Sequence, residues 1–375
     1  MWTVAEGGIA MRAALLEAPG TPLHVVDDVE IEAPRPGQVR VAVKHCGLCH
    51  SDLGVIDGTF PAGMPIVVGH EAAGVVVEVG SDVQDLSVGD SVVLTPCPPC
   101  GRCYGCLHGE PGVCVNASSI SSNSFLDGTT GLSRKGARVY RGLGVGAFAE
   151  YVLTPEAGAV KIPSDVPLHV ACVIGCAVQT GVGAVINTAR VEEGATVLVM
   201  GLGGVGLSTV QGARLAGASR VIVSDPVASR RQAALRFGAT DVLDPAKDDV
   251  VSACRDLTRI GVDYAFETAG VASLVSVGVM ATRAGGTTVC VGAPPIDQAI
   301  TIAPGVMLVV AEKKVVGSLL GSCNSVRDIP RFVSLWRAGR LDLEGLITGR
   351  RPLEQVNEAA RDMREGRGIR TVIDL

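Results

Sequence analysis

The sequence predicts an α/β chain in which a β-rich section flanks a doubly wound parallel-sheet domain. Three observations predict it. Short Val-, Gly- and Pro-rich runs fill residues 11–115. From about residue 178 apolar strands alternate with Ala/Leu-rich helices, the pattern of a parallel sheet with right-handed crossovers. A G-x-G-x-x-G stands where the first of those strands gives way to a helix.

In the first section VRVAVKHCG, AAGVVVEVG and SVVLT read as strands, bounded by the turn signals PGQ and VGD. Residues 116–147 are polar and Gly/Ser-rich, with neither a helical nor a strand period. A stretch that long is either disordered or a functional lobe. Further on, ATVLVMG is a buried strand, RVIVSD the next, and VDYAFET and GTTVCVG follow. The last 55 or so residues return to a mixed pattern ending in IRTVIDL, a terminal strand. The domains expected are 1–177, with a cysteine lobe at about 97–115, then 178–319, then a return of 320–375 to the first domain.

The chain has 375 residues, 47 % of them hydrophobic, so it can bury a large core. Its net charge of −6 argues against a nucleic-acid surface, which needs clustered basic residues. Neither apolar stretch, near 170–186 or 302–320, offers about 20 clean apolar residues, so no membrane span is expected. Residues 1–10 lack a basic start and a long apolar run, so no signal peptide is expected, and Met11 is a second plausible start. Twelve cysteines in such a chain read as metal or catalytic groups in a reducing, cytoplasmic setting.

Gly201, Gly203 and Gly206 form the glycine fingerprint, with Gly204 and Val205 inside it. The first glycine permits a tight turn, the second lets backbone approach a pyrophosphate, and the third lets helix pack on strand. The helix start then offers free N–H groups to phosphate. Asp225 ends the next strand, in place to accept from adenosine ribose hydroxyls and to repel a 2′-phosphate, which favours NAD over NADP. Arg230 and Arg231 follow and blur that preference. The plainer reading is that the glycines only shape a turn and Asp225 caps a helix.

Cys100, Cys103, Cys106 and Cys114 are spaced to close a tetrahedral sulfur cage, a structural zinc site with no open position. An iron–sulfur cluster is the rival reading. Cys97 lies just outside and is surplus to four-coordination. Cys49, His70 and Cys176 would make a three-ligand zinc site with one open position, but their spacing alone does not unite them, and a lone buried Cys or His is more often packing. Cys46, Cys172, Cys254, Cys290 and Cys323 read as small core hydrophobes.

Together, GLCHSD, GHEAAGVVVEVG, the four-cysteine loop, GLGGVG and the terminal IRT resemble the zinc-containing medium-chain alcohol dehydrogenases of the long form, from about Met11 to Leu375. The resemblance implies a GroES-like β-rich catalytic domain split by a Rossmann domain, with the active site in the cleft. It implies two zinc ions per chain, NAD, an alcohol or aldehyde substrate and a homodimer built on Rossmann edge strands. Cys49, His70 and Cys176 become the catalytic zinc ligands, and the four-cysteine loop the structural site. Glu71 approaches the metal from behind. Asp52 holds the zinc histidine and Ser51 takes the substrate proton. His50 and Arg370 contact the pyrophosphate, Thr180, Val205 and Val291 the nicotinamide, and Arg230 the adenosine ribose.

The chain also departs from the family pattern. Gly54 stands where many members carry a relay histidine. Pro96 and Gly142 stand where bulky groups are usual, while Phe60 and Leu320 stay large, which implies a roomier pocket. Ser118 stands where thiol-adduct formaldehyde dehydrogenases carry an arginine, which argues against that substrate. A dehydrogenase with tightly held nicotinamide and a separate electron acceptor is a further sub-reading. A non-catalytic relative would lack the catalytic ligands, and this chain has all three.

Overall fold

The computed structural model describes residues 8–302 and 304–375. Of the ten-residue extension, residues 1–7 lie outside the described residues, while residues 9 and 10 open the first strand, Ile9–Leu16.

The chain divides into two compact units. The first runs to Cys176 and takes in Asn324–Gly339 and Leu343–Leu375. The second is Ala177–Cys323 with Arg340–Asp342.

The first unit carries two largely antiparallel sheets. One has six strands, in the order Ala137–Arg138, Leu132–Arg134, His24–Ile31, Ile9–Leu16, Ile66–Val67, Tyr140–Arg141. The 116–147 segment is therefore ordered, and three of its short strands extend this sheet. The other runs Ala159–Lys161, Ser91–Leu94, Glu71–Val79, Gln38–Gly47, Arg370–Asp374, Ile347–Pro352, with Tyr151–Pro155 also pairing onto Gln38–Gly47. The terminal strand expected from IRTVIDL lies antiparallel to Gln38–Gly47, through Val372 opposite Gly47 and Asp374 opposite His45. Val39, Val41 and Val43, alternating along Gln38–Gly47, enter one core with Val76, Leu16, Ile66, Phe148, Leu353 and Ile373.

The second unit is built on six parallel strands: Thr196–Met200, Arg220–Ser224, Asp241–Leu243, Val262–Glu267, Thr282–Cys290 and Lys314–Gly317. Counted in chain order, they lie third, second, first, fourth, fifth, sixth across the sheet. That is the doubly wound order, whose reversal beside the first strand is where such sheets bind ligands. In the first strand Val197 through Met200 are all buried, as a central parallel strand covered on both faces requires. No single helix among the described residues is long and apolar enough to cross a membrane.

Candidate active site

The first unit brings Cys49, His70 and Cys176 together. Their ligand atoms lie within 4.8 Å of one another, and all three residues are buried. Cys49 caps the helix His50–Ile56, in extended backbone conformation. Asp52, fully buried in that helix, accepts from the Cys49 N–H at 3.0 Å. Its other oxygen takes the Gly69 N–H at 2.9 Å and Nδ1 of His70 at 3.0 Å. One carboxylate thus fixes the helix start, the Gly69 turn and the imidazole. With Nδ1 held, Nε2 of His70 points at Sγ of Cys176, 3.3 Å away. Gly69 is at φ +94°, and a Cβ there would come within 2.7 Å of the Phe148 nitrogen, so no other residue fits this turn.

Burial works against the charged form of His70, but Asp52 and Cys49 outweigh it and its pKa rises well above the usual imidazole value. The Cys49 thiol is drawn well below the ordinary thiol range, first by its contact with Cys176, then by Arg370 and His70 against the effect of burial. The same contact and burial push Cys176 up. Two soft sulfurs and one imidazole at mutual contact, with one sulfur drawn toward thiolate, fit a zinc ion. Three donors leave a fourth position for a substrate oxygen.

Behind this cluster Glu71 is fully buried, and Nε of Arg370 lies 3.4 Å from its Oε1. Arg370, itself only 3 % exposed, donates to the Leu48 carbonyl at 2.6 Å. The structure therefore seats the Arg370 guanidinium against Glu71 and the strand before Cys49. Ser51, two residues beyond the cap, has its hydroxyl 3.9 Å from Sγ of Cys49. His50 is exposed at the head of the same helix.

Two glycines read from sequence acquire different meanings. A Cβ at Gly54 would come within 2.6 Å of the Phe60 ring, so that ring fills the space a side chain at 54 would use. A Cβ at Gly142 would lie 2.8 Å from Cα of Val68 and 2.9 Å from the Val67 carbonyl. Gly142 is therefore a close approach of two backbones and does not by itself enlarge a pocket. Ser118 donates to the Val115 carbonyl at 2.7 Å in a short helical turn.

Cys100, Cys103, Cys106 and Cys114 also converge, with all ligand atoms within 4.8 Å. Backbone donors turn the sulfurs inward: Cys103 N–H to Cys100 at 3.3 Å, Cys100 N–H to Cys114 at 3.3 Å, and Asn116 N–H to Cys114 at 3.5 Å. The N–H groups of Cys106 and Val115 lower Cys103 to about 6. A closed set of four sulfurs fits a structural zinc ion. Cys97 stays outside this set: its thiol is pushed up to about 12, chiefly by burial, and donates toward the carbonyls of Pro111 and Gly112 at 3.8 and 3.6 Å.

In the second unit the glycine fingerprint lies where the strand Thr196–Met200 meets the helix Gly204–Leu215. Gly201 turns at φ +93°. Gly203 caps the helix, and a Cβ there would meet nothing within 4 Å, so open space faces this backbone. A Cβ at Gly206 would collide with the Gly201 carbonyl. The turn is thus shaped for a close-lying group, as a pyrophosphate requires. Asp225 is buried and accepts from Leu202 N–H at 2.7 Å and Val227 N–H at 2.8 Å. Arg231 is tied to the Asp225 carbonyl at 2.6 Å and to Asp244 at 2.9 Å, so its charge is already matched. Arg230 sits half-buried on the same helix, Ala228–Phe237. Thr180 lies on the helix Ala177–Gly183, packed on Gly204–Leu215 so closely that a Cβ at Gly181 would strike the Val205 carbonyl. Val291 follows the fifth strand, its N–H bonded to the Glu267 carbonyl at 2.9 Å.

Glu267 was not singled out by motif. The signal that could have found it is an acid ending an otherwise apolar strand, VDYAFE.

Comparison with known proteins agrees with this geometry. Residues 35–164 match the family model described as the alcohol dehydrogenase GroES-like domain, and residues 204–336 match that of the zinc-binding dehydrogenases. The chain is 36 % identical over 370 residues to a protein of Haemophilus influenzae named S-(hydroxymethyl)glutathione dehydrogenase, covering 97 % of each chain. A protein of that name from Escherichia coli is 36 % identical, over 96 % of this chain and 99 % of its own. Among solved structures, an alcohol dehydrogenase zinc-binding domain protein from Burkholderia ambifaria superposes with a TM-score of 0.92 at 37 % identity, over 98 % of this chain and 99 % of that one. Benzyl alcohol dehydrogenase from Acinetobacter calcoaceticus gives the same TM-score of 0.92 at 32 % identity, with coverage of 98 % and 99 %.

Proposed function

Because the chain belongs to the zinc-containing medium-chain alcohol dehydrogenase family, a family of oxidoreductases for which NAD is typical, we propose that it reversibly oxidises a primary or secondary alcohol to an aldehyde or ketone. The observation that carries the proposal is the meeting of two thiols and one imidazole in one buried cluster, a three-donor set of the kind that leaves a zinc ion one position for substrate. Zinc bound there supplies Lewis acidity toward an alcohol oxygen, and NAD supplies the hydride acceptor.

The protein's own residues do the rest. Asp52 fixes the His70 ring, so that Nε2 faces the metal position. Glu71 and Arg370 form a buried pair that holds the strand behind Cys49 and adds positive charge beside its sulfur. Ser51, close to Cys49, is placed to accept the alcohol proton. The Phe60 ring covers Gly54, so the proton leaves Ser51 by water or by His50 rather than through a side chain at 54. Gly201, Gly203, Gly204 and Gly206 shape the pyrophosphate turn, and Asp225 receives the adenosine ribose. Thr180, Val205 and Val291 face the nicotinamide, and Arg230 the adenosine end.

Relatives carry names that point to a glutathione adduct and to benzyl alcohol. Ser118 brings no cation to its position, which favours an uncharged alcohol. The test is to follow formation of reduced nicotinamide by purified, zinc-counted protein with NAD or NADP, against short, long-chain and aromatic alcohols and S-(hydroxymethyl)glutathione. Turnover with one uncharged alcohol class supports the reading. Turnover with the glutathione adduct alone replaces the substrate, and silence with two zinc ions bound points to a separate electron acceptor.

The working unit proposed is a homodimer in the cytoplasm. Lys314–Gly317 is an edge strand of the parallel sheet, and Val306, Val309, Val310, Val315 and Leu319 near it are exposed. An unpaired edge beside apolar surface suits pairing with a second copy. A light-scattering mass of four chains would refute the dimer.

A further inference from the structure

Glu267 ends the fourth parallel strand and is 1 % exposed. Among the described residues no lysine or arginine pairs with it. Its carboxylate accepts instead from the N–H groups of Ala269 at 2.8 Å and Val271 at 3.2 Å. Its main-chain carbonyl accepts from both Val291 and Gly292 at 2.9 Å.

The segment this carboxylate fixes touches the cofactor turn directly. The Thr268 hydroxyl donates toward the carbonyls of Met200 at 2.9 Å and Gly201 at 2.8 Å. A Cβ at Gly201 would lie 2.9 Å from the Ala269 Cβ, and one at Gly206 2.9 Å from the Thr268 hydroxyl. On the other side, a Cβ at Gly292 would lie 2.8 Å from Oε2 of Glu267 and would collide with the Gly270 nitrogen. One side chain thus sets residues 268–271, and these abut both the glycine turn and the loop that carries Val291.

Burial raises the pKa of Glu267, while the N–H groups of residues 271, 269 and 270 pull it back. A folded-state pKa above the unfolded one means the fold favours the neutral acid. The stability this contributes is full below the unfolded value and is lost as pH rises through the folded one. Wherever the acid is ionised, its buried charge is a cost that an amide of the same shape would avoid. Stability alone does not account for a carboxylate here.

We propose that Glu267 is a positioning residue for the dinucleotide, its carboxylate holding residues 268–271 so that the glycine turn and the Val291 loop keep the shape that binds NAD. This rests on the dinucleotide reading above, and the experiment separates the two.

NADH binding to the full-length, zinc-loaded protein is measured by nucleotide fluorescence for wild type, Glu267→Gln and Thr268→Val, with thermal melts alongside. Wild type should bind NADH; failure there overturns the dinucleotide reading and this proposal together. Glu267→Gln can keep one oxygen for Ala269 and Val271 but removes the charge and turns Oε2, the oxygen beside Gly292, into a donor. It should weaken NADH by about tenfold, and raise the KM for NAD similarly with kcat little changed, the sign of lost uniform binding. Its melting temperature at neutral pH should equal or exceed that of wild type. Thr268→Val leaves the carboxylate in place and should weaken NADH by a smaller factor. Wild-type affinity in a folded Glu267→Gln chain would overturn the proposal. So would a Glu267→Gln chain too unstable to fold, if Thr268→Val then bound NADH as wild type does.

Discussion

Cys100, Cys103, Cys106 and Cys114 come from one loop, whereas Cys49, His70 and Cys176 come from a helix cap, a strand entry and the last residue before the second unit. The loop cluster is partly exposed, and main-chain N–H groups turn its sulfurs inward. The second cluster is fully buried, and side chains hold it: Asp52 on His70, with Arg370 and Glu71 behind. A closed four-sulfur site needs only local backbone to form. A three-ligand site that keeps an open position needs the rest of the unit to prevent its collapse. The difference teaches that ligand identity and ligand support are separate problems, the first solved locally at the loop and the second by the whole unit at the buried cluster.

Removing one sulfur from each cluster should break this comparison most clearly. Cys49→Ser should lower turnover by roughly a thousandfold or more, since Lewis-acid stabilisation is worth several kcal/mol. It should retain one zinc ion and a near-normal melting curve. Cys103→Ser should also keep one zinc ion, but its main effect should be a lower melting temperature, because structural metal binding is folding free energy. Metal counting by atomic emission, turnover and thermal melts measure all three. Normal turnover in Cys49→Ser with two zinc ions bound would end the ligand assignment.

Asp52→Asn sharpens the same point without touching a ligand. The amide keeps the shape but loses the charge, and one of its two ends can no longer accept. Loss of such an outer partner typically costs 10–100-fold in metal affinity or activity. Zinc competition with a chelator should show the loss at the buried cluster and leave the four-cysteine loop unchanged. Equal retention at both clusters would mean that Asp52 serves the helix cap and the Gly69 turn rather than the metal.

What could be read beforehand follows the same division. The four-cysteine loop and the glycine fingerprint are legible because their partners are neighbours in sequence. Only family resemblance unites Cys49, His70 and Cys176 in the sequence, since no local spacing relates them. The strands Leu132–Arg134, Ala137–Arg138 and Tyr140–Arg141 escaped because two or three residues cannot display a period. In the sequence Gly54 and Gly142 look like missing side chains, yet their meaning lies in the Phe60 ring and the Val67–Val68 backbone packed against them. The second unit reaches from Ala177 to Cys323 and adds residues 340–342, a return that no composition change marks.

Gly54 offers a smaller test. Gly54→His places a side chain into the Phe60 ring and should cost about 1–3 kcal/mol in denaturant unfolding, the usual range for overpacking. Pairing it with Phe60→Ala should recover part of that loss. If the single variant is as stable as wild type, the ring does not occupy the space, and a proton route through residue 54 becomes available to engineering.

The smallest effect expected concerns nucleotide choice. Asp225 uses one oxygen for Leu202 N–H and the other for Val227 N–H, which fixes the carboxylate at the strand end while each oxygen keeps a lone pair. A 2′-phosphate placed there would meet this negative charge. Arg231 cannot offset it, because Asp244 and the Asp225 carbonyl already hold its guanidinium. Asp225→Gly should therefore shift the ratio of kcat/KM for NADP over NAD upward by about tenfold, equivalent to about 1.4 kcal/mol. Arg231→Ala should move that ratio far less, because the cation it removes is already neutralised. An unchanged ratio in Asp225→Gly would remove Asp225 from nucleotide selection. A large shift in Arg231→Ala would show that the Asp244 pair opens when the nucleotide binds.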